Sequence, residues 1–160
     1  MHAPLYSFTV PVFITGLQTL SHILSKGESY FKSKGLPLSD LINASLHANM
    51  NGLGFQIRTD CNTAKLSIAR ITQTENIPMK DEESTVEELQ ARIAKTIDLL
   101  REAKKSDFVG REGKELTMNY VREFALPNFH FHTTMAYAIL RSQGVELGKR
   151  DFLPNLHLEF

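Results

Sequence analysis

Histidine is the side chain whose charge changes most readily near neutral pH. The six histidines of this sequence are therefore the first place to look for acid–base or metal chemistry. His2, His22 and His157 have no chemical partners near them in the sequence and read as surface or boundary residues. His130 and His132 look like a metal pair. On a helix, however, residues two apart point about 200° apart, whereas two ligands of one ion sit three or four apart. On a helix that begins near Pro127, His132 shares a face with Phe129, Ala136 and Ile139, and His130 falls with Thr134, Tyr137 and Arg141. His132 is the inward histidine and the candidate general acid or base. Asn128 lies one turn earlier on the same face, a polar spot inside an apolar seam that could orient the ring. The alternative is a structural histidine that only satisfies a buried hydrogen bond.

A facing helix offers counterparts. Asn49 and Gln56 lie seven residues apart along one flank of an apolar stripe, so both could point into a cavity and bind a substrate with Asn128. His47 falls on the other flank, near Asn51 and Arg58, and reads as solvated. Polar groups contributed by facing helices to an apolar interior are how bundles build ligand sites. Other constellations are missing: the sequence has no glycine-rich phosphate loop, no paired cysteines, no Gly-x-Ser-x-Gly and no HExxH. The acidic run Asp81–Glu83 precedes a helix and suits its dipole.

The elements that must position these residues are helical. Phe13, Leu17, Leu20 and Leu24 step by four, three and four, which predicts a first helix from about Ser7 past Leu24. Pro11 is tolerated there as a first-turn residue. A second amphipathic piece reaches Lys34, where Gly35 and Pro37 stop it. Leu46, Met50, Leu53, Ile57, Ala64, Ile68 and Ile71 hold a seven-residue repeat and predict one helix over Leu46 to Ile71. Gly52 and Gly54 inside it suggest close packing. Ser84-Thr-Val-Glu87 reads as a capping box for a helix over about 85 to 104. The stretch to Glu115 is polar, and Leu116 to Phe124 fits either a short helix or an extended segment. The last helix should run from Pro127 to Gly144, followed by an irregular strap from Leu147 to Phe160. The pattern predicts one all-α domain over residues 1–160, a four-helix bundle with Phe13, Leu17, Met50, Ile57, Ile93, Ile97 and Ile139 in its core.

Composition narrows the function. A chain of 160 residues, 42% of them hydrophobic, can fill one core. Lys plus Arg and Asp plus Glu each total 18, so no net field draws the protein to nucleic acid or anionic lipid. The single cysteine, Cys61, favours a reducing, cytoplasmic setting. The N-terminal stretch has no basic region before it, and Pro4, Thr9, Pro11 and Gln18 interrupt its apolar run, so no membrane span is expected.

The C-terminal run Leu126-Pro-Asn-Phe-His-Phe-His-Thr-Thr-Met-Ala-Tyr-Ala-Ile-Leu-Arg, with Gly144-Val, Leu147-Gly-Lys and Asp151-Phe-Leu after it, resembles a branch of the DinB/YfiT-like superfamily known only as a domain of unknown function. Pro11-Val-Phe-Ile, Met50, Gln56 and Ala64-Lys65 agree, so the resemblance covers nearly the whole chain. It implies a DinB-like four-helix bundle and a homodimer. The wider superfamily binds a divalent metal through a histidine on helix two and an HxxxH pair on the last helix. Here Asn128-x-x-x-His132 occupies the HxxxH spacing, and Asn49 stands where the branch carries an aspartate. Amides are poor ligands for a transition ion, so no metal or other cofactor is expected. Asn62 and Arg58 also replace residues usual in the branch, which hints at a specialised member. The expectation is a metal-independent enzyme of specialised metabolism, acting on a small, largely apolar metabolite by isomerisation, cyclisation or elimination in a pocket inside the bundle, with His132 as its acid–base group. The alternatives are a non-catalytic small-molecule binder or interaction protein, and a metal-dependent transferase or hydrolase of the DinB type.

Overall fold

The computed structural model describes residues 4–111 and 115–153. Regular structure among them is entirely helical. Helix α1, Pro4–Lys34, takes in both amphipathic pieces expected at the N-terminus without a break. Phe13, Leu17, Leu20, Leu24, Gly27 and Phe31 all lie on its buried stripe. Pro11 consequently stands in the helix interior rather than in its first turn. By length and apolar composition α1 could cross a bilayer, but its stripe is spent on the bundle core.

After the short helix α2, Leu38–Asn43, the chain turns before α3, Leu53–Thr72. The start of α3 corrects the expectation of one helix from Leu46. Asn49, Asn51 and Gly52 favour turns over helix, and Gly52 is the extended N-cap. A Cβ on Gly52 would sit 2.9 Å from the Asn43 carbonyl oxygen, so α2 can end against α3 only at a glycine. Met50, expected in the core, is 39% exposed because it belongs to this turn. Ile57, Ile93, Ile97 and Ile139 are buried as expected.

The capping box of α4, Val86–Glu102, lies one residue later than the sequence reading placed it. Thr85 Oγ1 accepts from the Glu88 N–H at 3.1 Å, and Glu88 Oε2 accepts from the Thr85 N–H at 3.0 Å. The Ser84 N–H bonds to Glu88 as well, and these backbone bonds lower the Glu88 pKa. Beyond a 3-10 turn at Lys105–Phe108, helix α5, Glu115–Tyr120, runs through a π turn, Val121–Ala125, into α6, Leu126–Ser142. The segment left open in the sequence is therefore helical. Gly144, with φ +88°, ends α6 in the left-handed conformation. A short helix α7, Lys149–Phe152, begins the expected strap, whose residues 154–160 lie outside the described ones.

Among the described residues four long helices form the bundle. Phe129 packs on Gly16 and Leu140 on Gly27, so α6 runs parallel to α1. Gln56 meets His132 and Ser67 meets Tyr120, so α3 runs antiparallel to the arm that contains α6. Buried apolar residues from Leu5 to Leu147 make one core cluster.

Candidate functional site

The seam between α3 and α6 carries a ladder of polar pairs inside the otherwise apolar bundle. At its upper end Gln56 Nε2 donates to the Asn51 carbonyl oxygen at 3.0 Å, and Gln56 Oε1 lies 2.6 Å from His132 Nδ1. A carbonyl accepts only, so the first contact fixes which end of the amide faces the imidazole. Oε1 is an acceptor, and Nδ1 must carry the proton. The other ring nitrogen, Nε2, is then the lone-pair nitrogen that can accept a proton. The ring lies edge-on to Phe55 and Phe131, at centroid distances of 6.0 and 5.1 Å, and desolvation holds its pKa below the ordinary histidine value. His132 is 9% exposed, at the boundary of the core.

One step along the seam, Thr133 Oγ1 lies 2.7 Å from Asp60 Oδ2 and 3.0 Å from the Phe129 carbonyl oxygen. Asp60 is fully buried, and its Oδ1 has no hydrogen-bond partner among the described residues. A hydroxyl has one proton and cannot donate along both contacts. A protonated Asp60 resolves the geometry: its O–H donates to Thr133, and Thr133 donates to Phe129. Desolvation raises the Asp60 pKa well above the ordinary carboxylate value, in agreement. Sequence reasoning missed this residue. The signal was available, since Asp60 falls between Ile57 and Ala64 on the apolar stripe, where an ionised carboxylate is costly. Further along, Asn128 Nδ2 donates to Thr63 Oγ1 at 2.8 Å.

The expected constellation is thus only partly brought together. Gln56 reaches His132 directly, whereas Asn128 is committed to Thr63 one turn away. Asn49 is not part of the seam. It lies exposed in the turn before α3, where its Oδ1 pairs with His47 Nδ1 at 2.7 Å, because the helix that would have aimed it inward begins only at Leu53. His130 projects to the other side of α6 and lines an apolar cavity against α1 and α7. Cys61 is buried, which pushes its thiol up to about 12 and leaves it unreactive at neutral pH.

The sequence profile of the domain of unknown function DUF1993 matches residues 5–153. The chain belongs to this family. A crystal structure of a DinB family member protein from Shewanella denitrificans is similar in fold and sequence, with a TM-score of 0.91 and 34% identity over 98% of this chain and 95% of that one. The all-α DinB-like architecture follows. No curated protein matches the sequence. The side chains in the seam do not make the superfamily's metal site. Among the described residues no three of His, Cys, Asp and Glu converge, and the available amides are tied to Thr63, His132 and Asn51.

Proposed function

We propose that this protein is a metal-independent acid–base enzyme in which His132 accepts a proton from a small, largely apolar molecule lying against Phe55 and Phe131. The observation that carries the reading is the chain from the Asn51 carbonyl through Gln56 to His132, which presets the neutral tautomer with Nε2 free. A lowered pKa keeps the ring unprotonated at pH 7, the form a general base needs. Phe55 and Phe131, 38% and 56% exposed, supply the apolar surface beside the ring. Isomerisation, cyclisation and elimination can each begin with the removal of one proton, a step that one positioned base beside an apolar surface can perform.

Hydrogen–deuterium exchange tests this without knowledge of the natural substrate. Incubation of a panel of small apolar ketones in D2O should show exchange at the carbon next to the carbonyl, followed by NMR. His132→Ala should slow that exchange by about 100- to 10,000-fold, and His130→Ala should leave it unchanged. A folded His132→Ala protein with wild-type exchange would leave His132 as a structural hydrogen-bonding residue.

The same reading takes the protein as cytoplasmic, in keeping with its unpaired, buried Cys61, and as a homodimer. Phe8 and Phe124, 65% and 50% exposed, are apolar surface that a second copy would cover. Light scattering that gives a monomer at high concentration removes the dimer.

A further inference from the structure

A cavity of about 290 Å³ lies on the side of α6 away from His132, between α1, α6 and α7. Its walls are Pro11, Val12, Thr15 and Gly16 from α1, His130 and Thr133 from α6, and Phe152 at the end of α7. None of these side chains carries a fixed charge. The cavity exists because α1 presents small residues to α6 at this level. Gly16 leaves room for the Phe129 ring, which would stand 2.2 Å from a Cβ there, and Phe129 packs edge-on against Phe13 at 4.9 Å. Phe152 forms the outer wall. Thr19 Oγ1 donates to its carbonyl oxygen at 3.3 Å, and Tyr137 meets its ring edge-on at 5.7 Å.

The hydrogen-bonding inventory of the cavity says what could sit in it. The Thr19 hydroxyl is committed to Phe152, and the Thr133 hydroxyl to Asp60 and Phe129. Among the described residues the His130 ring has no hydrogen-bond partner, only a ring contact to Phe129. Two polar groups therefore remain for a ligand, the His130 ring at the rim and the Thr15 hydroxyl, neither of which has a hydrogen-bond partner among the described residues, while the rest of the lining is mainly apolar. An ion placed here would lose its hydration with no opposite charge to replace it. A wholly apolar molecule would fill the space but forgo a bond to the imidazole at the rim. In volume the cavity is about twice the ~150 Å³ space that accommodates benzene in an apolar protein interior.

We infer that this cavity is a binding site, separate from His132, for an uncharged two-ring or ten-carbon molecule with one hydroxyl or carbonyl group that bonds to His130. The site goes beyond the proposed catalytic reading and stands or falls independently of it.

The test uses three probes of one skeleton: naphthalene, 1-naphthol and 1-naphthoate. Titration of the folded protein, followed by probe fluorescence and by NMR of the histidine rings, should show 1-naphthol bound, with the His130 resonances shifting and those of His132 still. Naphthalene should bind about tenfold more weakly, the loss of one net hydrogen bond, and 1-naphthoate more weakly still. His130→Ala should bring 1-naphthol down to the level of naphthalene, and Thr15→Phe, which fills the cavity, should abolish binding of both. His130 lies at the rim, so its variant keeps the test open where Thr15→Phe fails to fold. Binding of 1-naphthol that is unchanged in His130→Ala would overturn the inference. So would shifts confined to His132, tighter binding of the anion, or no binding of 1-naphthol at millimolar concentration.

Discussion

Gln56 decides which nitrogen of His132 is free. Its amide is held in one orientation by the Asn51 carbonyl, so the imidazole is presented with a proton already on Nδ1. Replacement by leucine keeps the bulk and removes the acceptor. Nδ1–H then loses its partner, and the ring should move toward the Nε2–H tautomer, the form that cannot accept a proton at its outward nitrogen. Nitrogen NMR of the imidazole reads this directly: protonated Nδ1 in the wild type, and a shift to protonated Nε2 in Gln56→Leu. Unchanged tautomer populations would mean that Gln56 is only a packing residue. The role of Gln56 was half visible in the sequence. Its position on the flank of the helix could be read, but its bond to His132 depends on the register between α3 and α6, which no local spacing sets.

At the scale of elements, the connection from α3 to α4 explains side chains that the sequence reading left without a job. The two helices run parallel, so residues 73–85 must travel back along α3. Three α3 side chains hold that segment at successive levels: Lys65 donates to the Ile77 carbonyl, Asn62 to Asp81, and Arg58 to the Glu83 carbonyl. Arg92, buried on α4, closes the clamp through the Lys80 carbonyl, Glu83, Asn62 and Asp81. The acidic run thus belongs to Arg92 more than to the dipole of α4. Arg92→Ala would leave Glu83, which is largely buried, without its cation, and removal of one partner of such a pair costs about 3–5 kcal/mol. Denaturant unfolding should show a loss of that size, and a loss under 1 kcal/mol would mean the segment is held by other contacts. Helix type and core were legible because the stripes of α1, α4 and α6 are spaced at 3.6 residues. The start of α3 was misread because a seven-residue repeat continues through a turn whenever the turn residues happen to be apolar, as Leu46 and Met50 are. The parallel crossover was not legible, and neither was the Thr133 partner of Asp60, since both depend on which helices become neighbours.

For the whole molecule, titratable groups in the core and at its edge set opposing dependences of stability on pH. Asp60 has a raised pKa in the folded state, so its contribution is complete below the ordinary carboxylate value of ~4 and is lost as pH rises toward its folded pKa, at up to ~1.4 kcal/mol per pH unit. His130 and His132 have lowered values, so their contribution is present above ~6.5 and is lost as pH falls below it. Asp151 is held below the carboxylate range by the Gly148 N–H and by His22 and Lys26, and what it contributes disappears only as pH falls below ~4. Between pH 5 and 6.5 the slopes from Asp60 and the two histidines therefore oppose one another. Asp60→Asn removes one of them while keeping shape and neutrality, because an amide can donate to Thr133 where the protonated acid did. The variant should be more stable than the wild type at pH 8. Its stability should rise with pH up to about 6.5 and then level off, where that of the wild type falls. Thermal or denaturant unfolding across pH 4–9 measures both curves. Parallel curves for the two proteins would show that Asp60 ionises normally in the folded state, and the hydrogen-bond directions assigned to Thr133 would then be reversed.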